Sequence, residues 1–308
     1  MSKLERYAKN PILTAEDVPF KVNSIFNAGA IKFQNKYLLL CRVEKPSGIS
    51  SLVKAWSEDG IHFKVENRPV LTPENHQGFF EYVHWGLEDP RITRIDDIYY
   101  ILYTGYSVNE PVVMLAKTTD FEAFEFLGPI TEPINKDAVL FPEKIDGFYW
   151  KIDRPQITQY EGDIWINRSP DLLHWGSPRR LIARRKALWD GDKIGASTPP
   201  IRTERGWLML YHGVRTIGMS MIYRQGVLLL DSENPAKVLG RSKEPILSPE
   251  MPYERQGDVP NVVFSTGWIP EPDGTIKIYY SGADSNICLA TTTVDYLLSQ
   301  CDPVEDSQ

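Results

Sequence analysis

The stretch Ser57-Glu58-Asp59-Gly60-Ile61-His62-Phe63 recurs in recognisable form along the chain. Its further copies are Thr118-Thr119-Asp120-Phe121-Glu122-Ala123-Phe124 and Ser169-Pro170-Asp171-Leu172-Leu173-His174-Trp175. A hydroxyl residue two places before an aspartate predicts a turn stabilised by its own side chains. The aromatic residue four places later is then expected to pack the strand that follows. Successive copies lie roughly fifty to sixty residues apart, which is the scale of a four-stranded propeller blade.

Hairpin-like segments alternate with these turns. Each consists of two apolar or aromatic runs around a polar turn signal. They span residues 27–42, 89–106, 137–154, 198–212 and 261–284. Degenerate copies of the turn follow the last two hairpins, and helical periodicity is confined to Asp295–Gln300. The repeat predicts an all-β, five-bladed β-propeller, occupying residues 1–308 as a single domain with short N-terminal and C-terminal extensions.

Composition excludes several classes of protein. A 308-residue chain with 42% hydrophobic and 24% charged residues is globular, and its net charge of −7 argues against nucleic-acid or anionic-membrane partners. The N-terminus has no apolar signal core and no run could span a bilayer, so a cytoplasmic location is expected. Cys41, Cys288 and Cys301 show no metal-ligand spacing, which predicts neither a disulfide framework nor a metal site. The many aromatic residues are compatible with a homo-oligomer.

Hairpin geometry predicts where the polar residues collect. In an antiparallel hairpin, the start of the first strand and the end of the second lie at one edge. If the hairpins are the inner strands of the blades, one rim of the channel gathers the residues at both ends. These rim residues are Asn27, Arg42, Asp89, Tyr106, Asp137, Arg154, Ser197, Thr198, His212, Asp258, Asn261 and Asp284, with Lys136 and Lys193 just outside. Such convergence of charged groups is typical of an active site.

The segment Glu88-Asp89-Pro90-Arg91 is the most concentrated part of this rim. A carboxylate held beside a fixed cation at the start of a strand can donate a proton or bind a sugar. The structural alternative is that Asp89 caps a turn and pairs with Arg91. The neighbouring polar residues on the rim favour the functional interpretation.

Three cations come from consecutive units: Arg154, Lys193 and His212. Together they would bind a phosphate or a carboxylate. The structural alternative is a network of ion pairs with aspartates, namely Asp137, Asp190, Asp192 and Asp258. The sequence has no nucleophile elbow, P-loop or dinucleotide fingerprint, which leaves carboxylate chemistry and anion binding. An acid opposite an anion site suits glycoside phosphorolysis, in which phosphate replaces the activated water of an inverting hydrolase.

A series of motifs in a fixed order covers nearly the whole chain. It includes Asn10-Pro11-Ile12-Leu13, Phe26-Asn27-Ala28-Gly29-Ala30, Glu88-Asp89-Pro90-Arg91, Asp153-Arg154-Pro155, Lys193-Ile194-Gly195, Tyr211-His212-Gly213-Val214 and Gly257-Asp258-Val259-Pro260-Asn261. The series resembles the β-mannoside phosphorylases of glycoside hydrolase family 130. The resemblance implies a five-bladed propeller that phosphorolyses a β-mannoside with inversion, giving α-D-mannose 1-phosphate and a shortened acceptor.

The resemblance also implies residue roles. Asp89 matches the proton donor, acting directly or through a mannose hydroxyl. Arg154, Lys193 and His212 match phosphate-binding positions, with Lys136 where some relatives have arginine. The residues expected to bind substrate are Asn27, Arg42, Glu88, Arg91 and Asp258. No metal or cofactor is implied, because inorganic phosphate is a co-substrate.

Asp137 stands where some relatives have asparagine, and an ionised carboxylate there would repel phosphate. The alternative is that Asp137 faces Lys136.

Substrate linkage is less determined by the sequence. The neighbourhood of Asp89 favours β-1,2-linked manno-oligosaccharides, whereas the motifs at residues 10–16 and 267–269 are similar to those of enzymes acting on β-1,4-mannosyl-glucose, and β-1,4-mannobiose stays open. Candidate acceptor loops are Glu44–Ser51 and Glu74–His84. Their candidate stacking residues are Phe79, Phe80, Tyr82 and His84, with ordinary loop packing as the alternative. Competing functions are a β-mannoside hydrolase on the same scaffold and a carbohydrate-binding propeller without turnover.

Overall fold

A computed structural model describes residues 3–158 and 161–304 of the chain. The predicted five-bladed β-propeller is confirmed: antiparallel strands follow one another as five blades. Single parallel pairings join consecutive blades, such as Ser50 with Gly86 and Gly162 with Lys193.

The strands are short to medium in length. The chain begins with β1 (Glu5–Arg6). Blade one contains β2 (Ser24–Phe33), β3 (Lys36–Glu44), β4 (Ser50–Ser57) and β5 (Lys64–Val65). Blade two contains β6 (Gly86–Ile95), β7 (Ile98–Tyr106), β8 (Val112–Thr118) and β9 (Glu125–Pro129). Blade three contains β10 (Asn135–Leu140), β11 (Tyr149–Thr158), β13 (Ile164–Ser169) and β14 (Gly176–Ile182), with β12 (Glu161–Gly162) leading to the next blade.

The last two blades are completed by the chain ends. Blade four contains β15 (Lys193–Ala196), β16 (Ile201–Thr203), β17 (Gly206–Ile217), β18 (Ser220–Leu230) and β19 (Val238–Arg241). Blade five contains β20 (Val263–Pro270), β21 (Thr275–Gly282) and β22 (Asn286–Thr293). Its outer strand is β1, which pairs with β22, while β23 (Asp302–Pro303) pairs with β19 of blade four. Within the described residues, each predicted terminal extension thus contributes one short strand to a blade.

Helices are few and short. They are 3-10 turns at Ala15–Asp17 and Pro73–Asn75, and helices α1 (Phe80–Val83), α2 (Pro252–Arg255) and α3 (Val294–Ser299). The side chain of Thr293 accepts a hydrogen bond from the backbone N–H of Tyr296 and caps α3. None of the helices within residues 3–158 and 161–304 is long and apolar enough to span a membrane.

The turn signature behaves as predicted in its first copy. The hydroxyl of Ser57 accepts hydrogen bonds from the backbone N–H groups of Asp59 and Gly60, at 3.2 and 2.9 Å. The Asp59 carboxylate accepts bonds from the N–H groups of Ile61 and His62, at 2.8 and 2.9 Å.

The copies at Thr118 and Ser169 repeat the same four bonds. In the degenerate fourth copy, the Asp231 carboxylate still accepts two such bonds.

Apolar side chains fill the spaces between neighbouring blades, because both faces of the inner strands are covered. On β3, Leu38 and Leu40 belong to the cluster shared with blade two, whereas Leu39 and Cys41 face blade five. Similar clusters lie between blades two and three, three and four, and four and five. The ring of blades is therefore closed in two ways: by apolar packing between blades one and five, and by the pairing of β1 with β22 of blade five.

Blade four departs from the predicted hairpin. The inner strand is β15, which ends at Ala196, before the expected start at Thr198. Pro199 and Pro200 follow, and proline has no backbone N–H to offer a strand neighbour. Lys193, expected just outside the rim, therefore begins the inner strand.

Candidate active site

A cavity of about 420 Å³ lies where the inner strands of all five blades begin. Its walls include polar side chains from every blade. They are Asn27 and Arg42 from blade one, Glu88, Asp89 and Tyr106 from blade two, Lys136, Asp137, Arg154 and Gln156 from blade three, Lys193, His212 and Tyr223 from blade four, and Asp284 from the turn between β21 and β22 of blade five. Most of the predicted rim residues are thus brought together.

Three of these residues share an unusual backbone. Asn27, Asp89 and Asp137 have φ values of 45°, 54° and 57°. Each lies at a shift of strand register in the inner strand of its blade. A bulge of this kind re-aims one side chain, and Asn and Asp are among the few residues that tolerate the left-handed region. Each of these bulges therefore lies where its blade borders the cavity.

Asp89 is held by neighbours from blade one. One of its carboxylate oxygens accepts hydrogen bonds from the Asn27 amide at 2.7 Å and from the Arg42 guanidinium at 3.1 Å. Burial by itself would raise the pKa of Asp89, but the charges of Arg42, Lys136 and Arg91 outweigh it and lower the pKa. The carboxyl group is therefore ionised at neutral pH.

Glu88 bridges two cations beside Asp89. Its two oxygens accept from Arg42 at 3.0 Å and from Lys136 at 3.1 Å. Burial would lower the pKa of Lys136, yet the charges of Glu88 and Asp89 raise it. Lys136 thus stays charged, and its partner is Glu88 rather than Asp137.

The predicted anion-binding residues lie on blades three and four. The Arg154 guanidinium lies 2.7 Å from an Asp137 oxygen and 3.2 Å from Nε2 of His212. The ammonium of Lys193 donates to the Tyr223 hydroxyl at 3.1 Å. Asp137 also contacts the Arg91 guanidinium, at 3.2 Å, so its direct ion pairs are with arginines, while Lys136 acts on it only through its charge.

Two groups of this cluster carry less charge than their residue types imply. Burial, followed by the charge of Arg154, lowers the pKa of Lys193 to about 7. Burial also lowers the pKa of His212 to about 3, although the nearby Asp137 opposes the shift. With His212 neutral and Arg154 balanced by Asp137, an arriving anion adds the negative charge that favours protonated Lys193.

Arg91 lies beneath the cavity instead of lining it. The side chain is 1% exposed. Its guanidinium donates to the carbonyl oxygens of Asp89 at 2.9 Å, Ala196 at 3.0 Å and Ser197 at 3.1 Å. Arg91 therefore ties the bulge of blade two to blade four, and its expected contact with substrate becomes an indirect one.

Asp258 is a second predicted substrate residue that does not line the cavity. It is exposed, and its backbone N–H donates to the Ser285 hydroxyl at 2.8 Å. The rim residues Ser197, Thr198 and Asn261 also stay outside the lining. Asp284, at the other end of the same hairpin, takes the place in the wall.

Sequence reasoning missed Tyr223 and left Asp284 without a role. Tyr223 stacks on His212 with ring centroids 6.1 Å apart, and burial raises its pKa to about 12. It lies on β18, outside the inner hairpin, so a prediction based on the ends of the inner hairpins could not find it. Burial and the charge of Asp89 raise the pKa of Asp284 to about 7.

This arrangement can bind a polyhydroxylated ligand and an anion together. Carboxylates and cations of blades one, two and five line the cavity together with the predicted anion-binding residues of blades three and four. Within the described residues, no group of three His, Cys, Asp or Glu side chains is placed to hold a metal ion.

Comparisons with known proteins agree with this chemistry. A 1,2-beta-oligomannan phosphorylase of Thermoanaerobacter sp. is 38% identical over 94% of this chain and 97% of its own length. A beta-1,4-mannooligosaccharide phosphorylase of Ruminococcus albus is 35% identical over 94% of this chain and 88% of its own. The solved structure of a beta-1,2-mannobiose phosphorylase from Listeria innocua, in complex with beta-1,2-mannobiose, superimposes with a TM-score of 0.89 at 33% identity, covering 97% and 99% of the two chains. The family model described as beta-1,4-mannooligosaccharide phosphorylase matches residues 1–303, and the chain belongs to this family, glycoside hydrolase family 130.

Proposed function

We propose that this protein is an inverting phosphorylase that cleaves a β-mannoside with inorganic phosphate. The observation that carries the proposal is the placement of Arg154 of blade three and of Lys193 and His212 of blade four in the same cavity as Asp89 of blade two. A phosphate oxygen attacks the anomeric carbon as the bond to the leaving oxygen breaks. That oxygen receives a proton from Asp89, directly or through a mannose hydroxyl, and α-D-mannose 1-phosphate results.

The remaining wall residues have proposed roles in holding the mannose that is transferred. Asn27 and Arg42 contact Asp89 from blade one and offer donors to sugar hydroxyls. Glu88 and Asp284 offer acceptors on the same side. Arg91 does not line the cavity and acts indirectly, by fixing the bulge that carries Asp89.

The proton must reach Asp89 after the ligands enter. The neighbouring charges, chiefly that of Arg42, lower the pKa of Asp89. Bound phosphate adds negative charge to the same cavity, which raises the pKa of a nearby carboxyl group. Filling the cavity also removes water from around the carboxylate, which shifts the pKa in the same direction. Binding of phosphate and substrate therefore raises the pKa of Asp89 and favours the protonated form, which can donate the proton.

We place β-1,2-linked manno-oligosaccharides first among the substrates. The sequence around Asp89 favours that group, and relatives named for β-1,2 linkages match this chain over almost its whole length. β-1,4-Mannobiose and β-1,4-mannosyl-glucose are the alternatives.

We also propose a cytoplasmic location for this reaction. Cys41, Cys288 and Cys301 are free and buried, which suits a reducing compartment. Fractionation of the producing cells tests the location.

Product analysis with and without phosphate tests the function. The protein is incubated with β-1,2-mannobiose, β-1,4-mannobiose and β-1,4-mannosyl-glucose, and mannose 1-phosphate and free mannose are quantified. We expect mannose 1-phosphate to form only when phosphate is present, and to form fastest from β-1,2-mannobiose. Free mannose at equal rates without phosphate would indicate the hydrolase, and binding without turnover would indicate a carbohydrate-binding propeller.

A matched pair of variants assigns the anion site. Arg154→Ala should raise the KM for phosphate at least about tenfold, because a charge-assisted hydrogen bond is lost. Arg180→Ala removes an arginine whose side chain is 60% exposed on β14 and should leave that KM unchanged. Equal KM values for the two variants would remove Arg154 from the phosphate site.

A further inference from the structure

Exposed aromatic side chains are confined to one place on the described surface. Within residues 3–158 and 161–304, the exposed Phe, Trp and Tyr side chains are Phe80, Trp85 and Tyr106, at 55%, 47% and 38% exposure. Val108, 66% exposed, follows directly. A contiguous exposed apolar patch of this kind marks a binding surface more often than chance placement does.

The rings form a continuous series that begins in the cavity. Tyr106 lines the cavity wall, and its ring centroid lies 5.6 Å from that of Trp85. Trp85 lies 5.3 Å from His84, which lies 5.9 Å from Phe80. These four residues, termed the aromatic series below, lead from the proposed site of bond cleavage out to the surface.

The backbone around the series is firmly anchored. The N–H of Trp85 donates to the carbonyl oxygen of Tyr106 at 2.9 Å, which holds the two residues side by side. Val83, between the exposed residues, is fully buried. Phe79 and Tyr82 pack into the core shared by blades one and two, so the earlier expectation that they stack on sugar is not supported by their placement. The anchored turn thus keeps Phe80 and Trp85 turned outward.

The position of the series matches the path of a leaving group. It lies on the connection from blade one to blade two and at the end of β7 in blade two. The anion-binding residues lie on blades three and four. Inverting displacement needs the nucleophile and the leaving group on opposite sides of the sugar, so the acceptor part of the substrate leaves the cavity away from the anion site.

We propose that the aromatic series is an acceptor platform that binds the sugar units of a manno-oligosaccharide beyond the cleaved bond. This proposal rests on the proposed function and adds a preference for chains longer than a disaccharide. The C–H faces of the sugar rings pack on Tyr106, Trp85 and Phe80 in turn. Aromatic side chains suit this role because they offer a large apolar face with little loss of conformational entropy.

Kinetics on substrates of different length test the platform. The ratio of kcat/KM for β-1,2-mannotetraose to that for β-1,2-mannobiose is measured with saturating phosphate, for the parent, Trp85→Ala and Phe80→Ala. Each substitution should lower the ratio about tenfold, through the KM of the tetrasaccharide. Leu173→Ala, at 47% exposure on blade three, is the control and should leave the ratio unchanged. An unchanged ratio in Trp85→Ala and Phe80→Ala overturns the proposal.

Direct binding separates this proposal from the proposed function. Calorimetric titration with β-1,2- and β-1,4-mannotetraose in the absence of phosphate needs no turnover. If no mannoside is cleaved but Trp85→Ala weakens binding about tenfold, the platform stands and the proposed reaction falls. If the tetrasaccharides do not bind the parent protein, the platform is overturned. Sedimentation showing that Trp85→Ala dissociates an oligomer, with the length ratio unchanged, would assign the patch to a second copy of the chain instead.

Discussion

Asn27, Asp89 and Asp137 show how single residues shape the cavity. Their positive φ values and register shifts place a carboxyl or amide group at the same level of three successive blades. The left-handed conformation costs most residues roughly 1–2 kcal/mol, and Asn and Asp much less. The need for a carboxyl or amide group in the cavity and the left-handed backbone conformation therefore both favour Asn or Asp at these three positions.

Substitution of Asp89 can separate these two requirements. Asp89→Asn keeps the shape and tolerates the φ of 54°, but an amide cannot supply the proton. We expect kcat to fall by about 10²–10⁴ with little change in the midpoint of thermal unfolding. Asp89→Val should lose activity and also about 1–2 kcal/mol of stability, because a β-branched residue is strained there. Activity of Asp89→Asn close to that of the parent would exclude Asp89 as the acid.

Asp284 predicts a particular dependence of stability on pH. Its pKa rises from 3.8 in the unfolded chain to about 7 in the folded protein. Between these values the folded state binds more protons, so this group's contribution to stability decreases as the pH rises through 7. Asp284→Asn removes that loss, and the stability of the variant relative to the parent should increase from pH 5 to pH 8 by on the order of 1 kcal/mol, since the side chain keeps some contact with water.

Denaturant unfolding of both proteins at the two pH values measures this difference. A constant difference between pH 5 and pH 8 would show that Asp284 is ionised throughout.

Lys193 predicts that phosphate binding is coupled to proton uptake. Its pKa of about 7 reflects burial and the charges of Arg154 and Lys136, opposed by Asp137. Bound phosphate favours the protonated amine, so phosphate affinity should fall as the pH rises above 7. Calorimetry near pH 7.5 in buffers of different ionisation enthalpy should detect the uptake of a fraction of a proton, approaching roughly one.

Because phosphate itself titrates in this range, the difference between the parent and Lys193→Arg is the informative quantity. The permanently charged arginine should bind phosphate without that uptake. Equal uptake in the two proteins would assign the proton elsewhere.

At the scale of elements, hairpins were the predictable part. Strand alternation and side-chain-stabilised turns are local properties, so three turn copies and most hairpin boundaries agree with the structure. The prediction that the ends of the inner hairpins meet at one rim likewise placed Arg42, Asp89 and Arg154 in the cavity wall. It failed where position depends on distant packing. Arg91 turns inward to blade four, and Tyr223 reaches the cavity from β18, outside the inner hairpin.

Two-residue strands were also beyond prediction, because they are too short for alternation. β1 pairs with β22 of blade five, and one of its two residues, Arg6, also makes a buried ion pair. The Arg6 guanidinium donates to both oxygens of Glu254, at 2.7 and 3.1 Å, and the Glu254 side chain is fully buried. The Tyr280 hydroxyl donates to the same carboxylate at 2.9 Å.

Arg6→Ala would leave a buried carboxylate without its cation. We expect a loss of about 2–4 kcal/mol in the free energy of unfolding, near the lower end of the range for buried pairs because Arg6 is partly exposed. The control is Lys36→Ala, which removes an exposed partner of Glu58 and should change stability by less than about 1 kcal/mol. Equal effects in thermal or denaturant unfolding would mean that β1 does not close the ring.

At the scale of the whole molecule, the closed ring explains how the cavity is assembled. Every blade contributes to the cavity wall, and apolar clusters join each blade to the next, including blade five to blade one. We propose that residues 1–308 form one folding unit for this reason, with a single unfolding transition by circular dichroism and fluorescence. Opening the ring at β1 should then disturb the cavity far from Arg6.

The ring also positions the two reactants. Blades three and four carry the anion-binding side chains, while blades one, two and five surround Asp89. We propose that this separation keeps phosphate and leaving group on opposite sides of the mannose, which favours displacement with inversion.

The most direct test is to identify the first product formed from β-1,2-mannobiose in phosphate buffer. Its formation is followed by ³¹P and ¹H NMR spectra recorded from the earliest time points. We expect α-D-mannose 1-phosphate and one equivalent of mannose, with no consumption of the disaccharide when phosphate is omitted. Formation of the β-anomer of the sugar phosphate, or equal cleavage without phosphate, would contradict the placement of phosphate on the side of Arg154, Lys193 and His212.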